Sequence, residues 1–377
     1  MQQLGVGIIG AGGIAGAHAS GYQQFPDECR IVATADIYVE KAQALAARIG
    51  PEVAAYADYH ELLARDDVSL VSVCTPPFVH AEVAVAALAT GKHVLVEKPL
   101  AASLAECDAI IEAAARSGTV LSGVFQNRYR PDYTRARALI EGGALGRVVF
   151  AKMDCLWWRG RNYYDLWWRG TWEKECGGAT INHAVHAIDA FLWLVGDAPR
   201  WVFAEMGTFT HDIEVEDLSV AIVGFASGAL GQLTSTVSAH HNRDRIEICG
   251  EEAGLSLPWE LFARRAQPNG FGVPDEPRLK ALQQRADAVA VSQRQGHAAQ
   301  IEDVLRAIRT GKPPLVTGRE ARKAIELITA IYKSATLGER VPLPLQPDDP
   351  FYTTAGLHAR VKRHPVAHRR AEPASAG

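Results

Sequence analysis

Short apolar runs separated by stretches of helical length dominate the first third of the chain. Residues 6–9, 31–35, 70–74, 93–96 and 120–125 each read as a buried strand. Between them fall helical patterns, among them 79–90 and a helix opened by the capping box Ser103…Glu106. Strands alternating with helices at this spacing predict a doubly wound parallel sheet covered on both faces, an α/β domain over residues 1–125.

Beyond Phe125 the pattern changes. Strand-like stretches at 148–154, 201–207, 218–225, 230–237 and 245–250 follow one another with few helices between them. They predict an α+β domain over 126–345, built on one large, mostly antiparallel open sheet. Residues 283–300 are polar and Ala-rich and read as a helix with its approach. Two late helices are predicted, one near 297–309 and one opened by Thr317…Glu320, with Ala321, Ile325, Ile328 and Ile331 on its buried side. Residues 346–377 read as a solvated terminal tail, first Pro-rich and then basic at Arg360, Lys362, Arg363, Arg369 and Arg370.

Composition narrows the function classes. A length of 377 residues suits two domains, and a net charge of -4 gives no general attraction to nucleic acid or acidic membranes. No apolar run is long enough to span a bilayer, and the chain enters a strand almost at once, so cytoplasm is the expected location. The six cysteines (Cys29, Cys74, Cys107, Cys155, Cys176, Cys249) form no CxxC pair, so buried reduced thiols are expected and no metal site.

The first strand runs into Gly10-Ala11-Gly12-Gly13-Ile14-Ala15, which fits G-x-G-x-x-G/A. Gly10 allows a tight turn, Gly12 lets a pyrophosphate approach the backbone, and the small Ala15 lets the next helix pack closely. That helix presents its unpaired N–H groups to phosphate. The second strand ends in Asp36, where a carboxylate accepts hydrogen bonds from a ribose and repels a 2′-phosphate. NAD is therefore favoured over NADP in this Rossmann-type domain, with Lys41 the residue most able to oppose that preference. Thr75, Pro76 and His80 follow another strand and are expected near the nicotinamide half. His80 as a helix-start histidine with no such role is an equal alternative.

Glu97-Lys98-Pro99 closes the 93–96 strand, because proline lacks an N–H and pushes Lys98 toward an extended conformation. Ligands of open α/β sheets bind at such carboxyl ends. Further on, five of the eight tryptophans fall between Trp157 and Trp172, with Tyr163 and Tyr164. They are interleaved with Arg159, Arg161, Asp165 and Arg169, a composition that suits a polyhydroxylated ring; packing is the rival reading. Gly177-Gly178 then opens a helix with Asn182, His183, His186 and Asp189, on which Asn182 and His186 share a face. A neutral His186 there is suited to general-base work.

This ordered set resembles the Gfo/Idh/MocA oxidoreductases, which include inositol and sugar dehydrogenases. The resemblance rests on the 10–15 turn, Asp36, Thr75-Pro76 with His80, and residues 89–99. It continues through Gly177-Gly178…Asn182…His186…Asp189 and Thr317-Gly318-Arg319-Glu320. It implies cofactor contacts from Gly10, Gly12, Gly13, Ile14, Ala15, Asp36, Thr75, Pro76, His80, Glu97 and Lys98. It implies Lys98, Asn182 and His186 as the catalytic set. Substrate contacts are implied for those three residues and for Arg128, Tyr163, Tyr164, Trp168 and Arg169. Many members carry an aspartate where this chain has Asn182, so Lys98 and His186 are both candidates for the proton acceptor. The implied reaction moves a hydride between a secondary alcohol of a sugar, inositol or nucleotide-sugar and NAD, in a homodimer or homotetramer with no nucleic-acid or membrane partner. A non-catalytic NAD-binding regulator and a redox-neutral, glycosidase-like enzyme that retains NAD are the alternatives.

Overall fold

The computed structural model describes residues 3–364. Contacts divide the chain into two compact units, one of Met1–Gln126 with Gln293–Ile325, the other of Asn127–Ser292 with the residues from Glu326 onward.

In the first unit, β1 (Leu4–Ile9), β2 (Cys29–Ala35), β3 (Ala54–Tyr56), β4 (Leu70–Val73), β5 (His93–Val96) and β6 (Leu121–Gly123) form one sheet in the order β3-β2-β1-β4-β5-β6. Every pairing in it is parallel, so all carboxyl ends lie along one edge. β1 and β4 adjoin where the strand order reverses, which is where such sheets bind nucleotides. β3 escaped the sequence reading because it is three half-buried residues long.

The late helix Gly296–Thr310 belongs to this unit, whereas the sequence reading placed it with the second domain. Its Ile301, Val304 and Leu305 are buried in one cluster with Val6, Tyr22 and Phe25. Its Gln300 accepts a hydrogen bond from Phe125 N (3.0 Å) and donates to Gly123 O (2.7 Å), satisfying polar backbone at the edge strand β6. Residues 283–300 are correspondingly not one helix. The helix Glu276–Asp287 ends within them and Gly296–Thr310 begins.

In the second unit, β7 (Val148–Trp158), β8 (Pro199–Gly207), β9 (Leu218–Phe225), β10 (Leu230–Thr236), β11 (Ser238–Gly250), β12 (Gly254–Leu257) and β13 (Glu260–Phe262) join a large sheet. β14 (Arg264–Ala266) and β15 (Gly272–Pro274) pair as a separate hairpin, and β16 (Val341–Pro342) closes the large sheet's far edge. The order is β13-β12-β11-β7-β10-β9-β8-β16, antiparallel except for the parallel β7/β10 pair. β7 extends through Trp157 and Trp158, so the aromatic stretch begins on a strand.

The reading of residues 346–377 as a solvated tail is corrected over its described part. Thr353 caps the helix Thr354–Arg360, and Phe351, Leu357 and Val361 are buried. The apolar spacing around that cap gives the segment something to bury. Arg369 and Arg370 lie outside the described residues. Five of the cysteines are buried free thiols, while Cys249 is exposed. No helix among the described residues is long and apolar enough to cross a membrane.

Candidate active site

In the first unit, Gly10 has φ +94°, and a Cβ there would lie 2.5 Å from the Cys74 carbonyl carbon. Only glycine fits that turn. At Gly12 and Gly13 an added Cβ would meet nothing within 4 Å, so the loop leaves open space before the helix Ala15–Tyr22. Asp36 is aimed by two backbone donors, Ala11 N at 2.7 Å and Tyr38 N at 2.9 Å. Lys41 lies over the Tyr38 ring. Thr75 Oγ1 is buried with no hydrogen-bond partner among the described residues.

The Glu97-Lys98-Pro99 motif is braced on several sides. His80 is buried, with Nδ1 2.7 Å from Pro99 O and Nε2 2.8 Å from Thr75 O, so its ring ties the Thr75 loop to the motif. Burial pushes its pKa down, against the pull of both carbonyls and Glu97. Glu97 Oε1 lies 2.9 Å from His18 Nε2 and 3.1 Å from His297 Nε2. Its other oxygen accepts the Lys98 backbone N–H at 3.1 Å. Burial alone would raise the Glu97 carboxyl, but hydrogen bonds from both histidines hold it well below the usual range. The network continues from His18 Nδ1 to Ser72 Oγ and on to Tyr22. An ionised Glu97 accepts from both Nε2–H groups, which leaves His18 Nδ1 to accept from Ser72. His18, Glu97 and His297 also form a possible donor set for a metal ion, all within 4.8 Å. Hydrogen bonds account for the arrangement without one.

In the second unit, the segment after Gly177-Gly178 is two helices, Ala179–Asn182 and Val185–Val195. The expectation that Asn182 and His186 share one helical face is thereby corrected. His183 N and Ala184 N both donate to Ala179 O, and this shared acceptor interrupts the regular ladder. Asn182 Nδ2 donates to the carbonyls of Glu175 (3.0 Å) and Gly177 (2.9 Å), so it fixes the glycine turn. His186 is half-buried on the second helix. Asp189 and Arg128 form a bidentate pair at 2.9 and 2.7 Å, both buried. Arg128 therefore has its guanidinium engaged inside the unit.

Sequence reasoning missed Glu216 and Asp217. Glu216 accepts from Gly178 N (3.0 Å), Thr180 N (2.9 Å) and Tyr332 Oη (3.0 Å), while a Cβ at Gly178 would lie 1.8 Å from its carbonyl oxygen. No local signal marks these partners, which come from distant segments. The aromatic stretch divides in two. Trp172 and Tyr164 are core residues, 0% and 2% exposed. Tyr163 is half-buried, with Arg169 stacked 3.9 Å from its ring centre and 4.2 Å from that of Trp168. Arg169 pairs with Glu175 at 2.8 Å, and burial pushes that carboxyl up to about 7.

Residues 4–125 match the model of an oxidoreductase family with an NAD-binding Rossmann fold, and 133–256 match the Gfo/Idh/MocA C-terminal domain. Inositol 2-dehydrogenase of Rubrobacter xylanophilus is 30% identical over 68% of this chain and 72% of its own length. The chain belongs to the Gfo/Idh/MocA oxidoreductase family. Myo-inositol 2-dehydrogenase of Thermotoga maritima is 25% identical over 87% of this chain and 95% of that protein. The WlbA dehydrogenase of Bordetella pertussis, solved with NADH and UDP-GlcNAcA, superposes with a TM-score of 0.80 at 28% identity, covering 92% and 99% of the two chains.

The first unit of this Gfo/Idh/MocA enzyme fits the dinucleotide. The open loop at Gly12 and Gly13 leaves room for a pyrophosphate, and Thr75 Oγ1 is a buried hydroxyl with no partner among the described residues. Acid stability should be set partly by the second unit's Asp217. Burial would raise its carboxyl, but His211 and the backbone N–H groups of Thr210 and Phe209 bring it to about 2. A depressed carboxyl stabilises the fold above its unfolded pKa of 3.8, and that stabilisation is lost as pH falls toward about 2. Asp217→Asn should flatten the acid limb of stability against pH in tryptophan-monitored urea melts. An unaltered limb would show that other groups set it.

Proposed function

We propose that this protein is an NAD-dependent dehydrogenase acting on a secondary alcohol of a sugar, inositol or nucleotide-sugar. The observation that carries it is Lys98 at the carboxyl end of β5, its backbone N–H held by the buried Glu97 clamp. This lies in the parallel sheet whose β1 leads into the glycine turn. Bound nicotinamide supplies the hydride acceptor. Lys98 holds the reacting oxygen and stabilises the charge that develops there as its proton leaves. His186 takes that proton in the oxidative direction. Asn182 supports the glycine turn leading to the histidine's helix. Names of relatives support the substrate class, since they include inositol dehydrogenases and a nucleotide-sugar complex.

The test is absorbance of reduced nicotinamide after NAD is mixed with a panel of polyols and sugar derivatives. Accumulating NADH is expected. Bound NAD with no turnover would favour a regulator, and substrate consumption without released NADH a redox-neutral enzyme.

NAD is preferred to NADP because the Asp36 carboxylate repels a 2′-phosphate. Asp36→Ala should weaken NADH about tenfold or more and narrow the preference over NADPH, read by fluorescence titration. An unchanged preference would remove Asp36 from that role.

The protein pairs through the outward face of the large sheet. Register places Phe203 opposite Ile222, and Ile222 opposite Gln232. Phe203, Val220, Ile222 and Leu230 are 39–47% exposed on that face, an apolar area suited to a second copy.

A further inference from the structure

Arg159 follows β7 and is held by its backbone at both ends. Its N–H donates to Val237 O at 2.9 Å, and its carbonyl accepts from His211 Nε2 at 2.9 Å. The other His211 nitrogen lies 3.0 Å from the buried Asp217 carboxylate. The guanidinium then lies over two aromatic rings, 4.7 Å from the centre of Trp157 and 5.2 Å from that of Tyr163. Both rings also meet His183, at 5.7 and 5.5 Å.

What distinguishes Arg159 is its charge balance. The neighbouring Arg169 is neutralised by Glu175. The half-buried Arg159 has no carboxylate partner among the described residues, and neither has Arg161. One Arg159 N–H donates to Trp158 O at 2.9 Å and the guanidinium also engages the Tyr163 hydroxyl, which leaves the remaining donors of a five-donor fork for other acceptors. A guanidinium pinned by its backbone and by ring stacking has lost its conformational entropy in advance. Such a group binds an oxyanion at lower cost than a solvated lysine.

We propose that Arg159 is an anion-recognition residue, and that the preferred substrates are sugars carrying a carboxylate or phosphoryl group. The oxyanion takes the guanidinium fork, and the half-buried Trp157 beside it is the apolar surface for the sugar's C–H groups. This rests on the sugar-dehydrogenase reading and narrows it.

The test is calorimetric titration of the NADH-loaded protein with glucose, glucuronate, UDP-glucose and UDP-glucuronate, with turnover of the same compounds measured separately. At least one anionic sugar is expected to bind about tenfold or more tighter than glucose, and increasingly so at low salt. Preference for free glucuronate assigns the subsite to a carboxylate, and preference for UDP-glucose to the diphosphate. Arg159→Gln should collapse the anionic-to-neutral ratio toward one, and Arg159→Lys should restore part of it. Equal binding of neutral and anionic sugars, no sugar binding at all, or an equal loss of both in Arg159→Gln would overturn the proposal. Arg159-dependent binding without turnover would sustain it while sinking the dehydrogenase reading. Turnover of neutral polyols with no anionic preference would do the reverse.

Discussion

Lys98→Ala should lower kcat by roughly 10²–10³-fold, the loss expected when one donor to a developing oxyanion is removed. NADH affinity should stay within about twofold, for a structural reason. The contact between the motif and Glu97 uses the main-chain N–H of residue 98, which alanine keeps. The glycine turn and Asp36 are separate from the substituted side chain, and the His18–Glu97–His297 cluster is retained. The variant thus removes the ammonium while leaving the cradle. Turnover equal to wild type would sink the assignment. Joint loss of turnover and NADH binding would instead mean that the side chain supports the loop.

Asp189→Ala should destabilise the second unit by about 3–5 kcal/mol, because it strands a buried guanidinium. Arg128 and Asp189 have side chains only 2% and 1% exposed, and the pair is bidentate. Water cannot compensate at that depth. All eight tryptophans lie between Asn127 and Ser292, so their fluorescence during urea unfolding reports on this unit directly. Asp189→Leu combined with Arg128→Met should recover much of the loss, since an apolar pair strands no charge. A single-variant loss under about 1 kcal/mol would mean that Arg128 finds another partner.

The legible parts of this protein share one property. Each depends on residues a few positions apart. The turn at 10–15, the Ser103 and Thr317 caps, and the strands of the first unit are examples. Backbone sterics, local hydrogen bonds and apolar periodicity set these, so they survive reading one residue at a time. Lys98 at a strand end was legible for the same reason. The Asn182–His186 face was misread because regular helical spacing was assumed through His183, where the hydrogen-bond ladder breaks.

By itself, then, the sequence determined the parallel α/β unit, its dinucleotide turn, the mostly antiparallel sheet after it and the family of the whole. Tertiary structure alone decided how the polar side chains are spent. His297 reaches Glu97 across 200 positions, and Arg128 reaches Asp189 across 61. Gln300 serves the edge of β6, drawing a late helix into the first unit. Buried charges and amides must find partners, and the fold supplies them from segments that no local pattern connects.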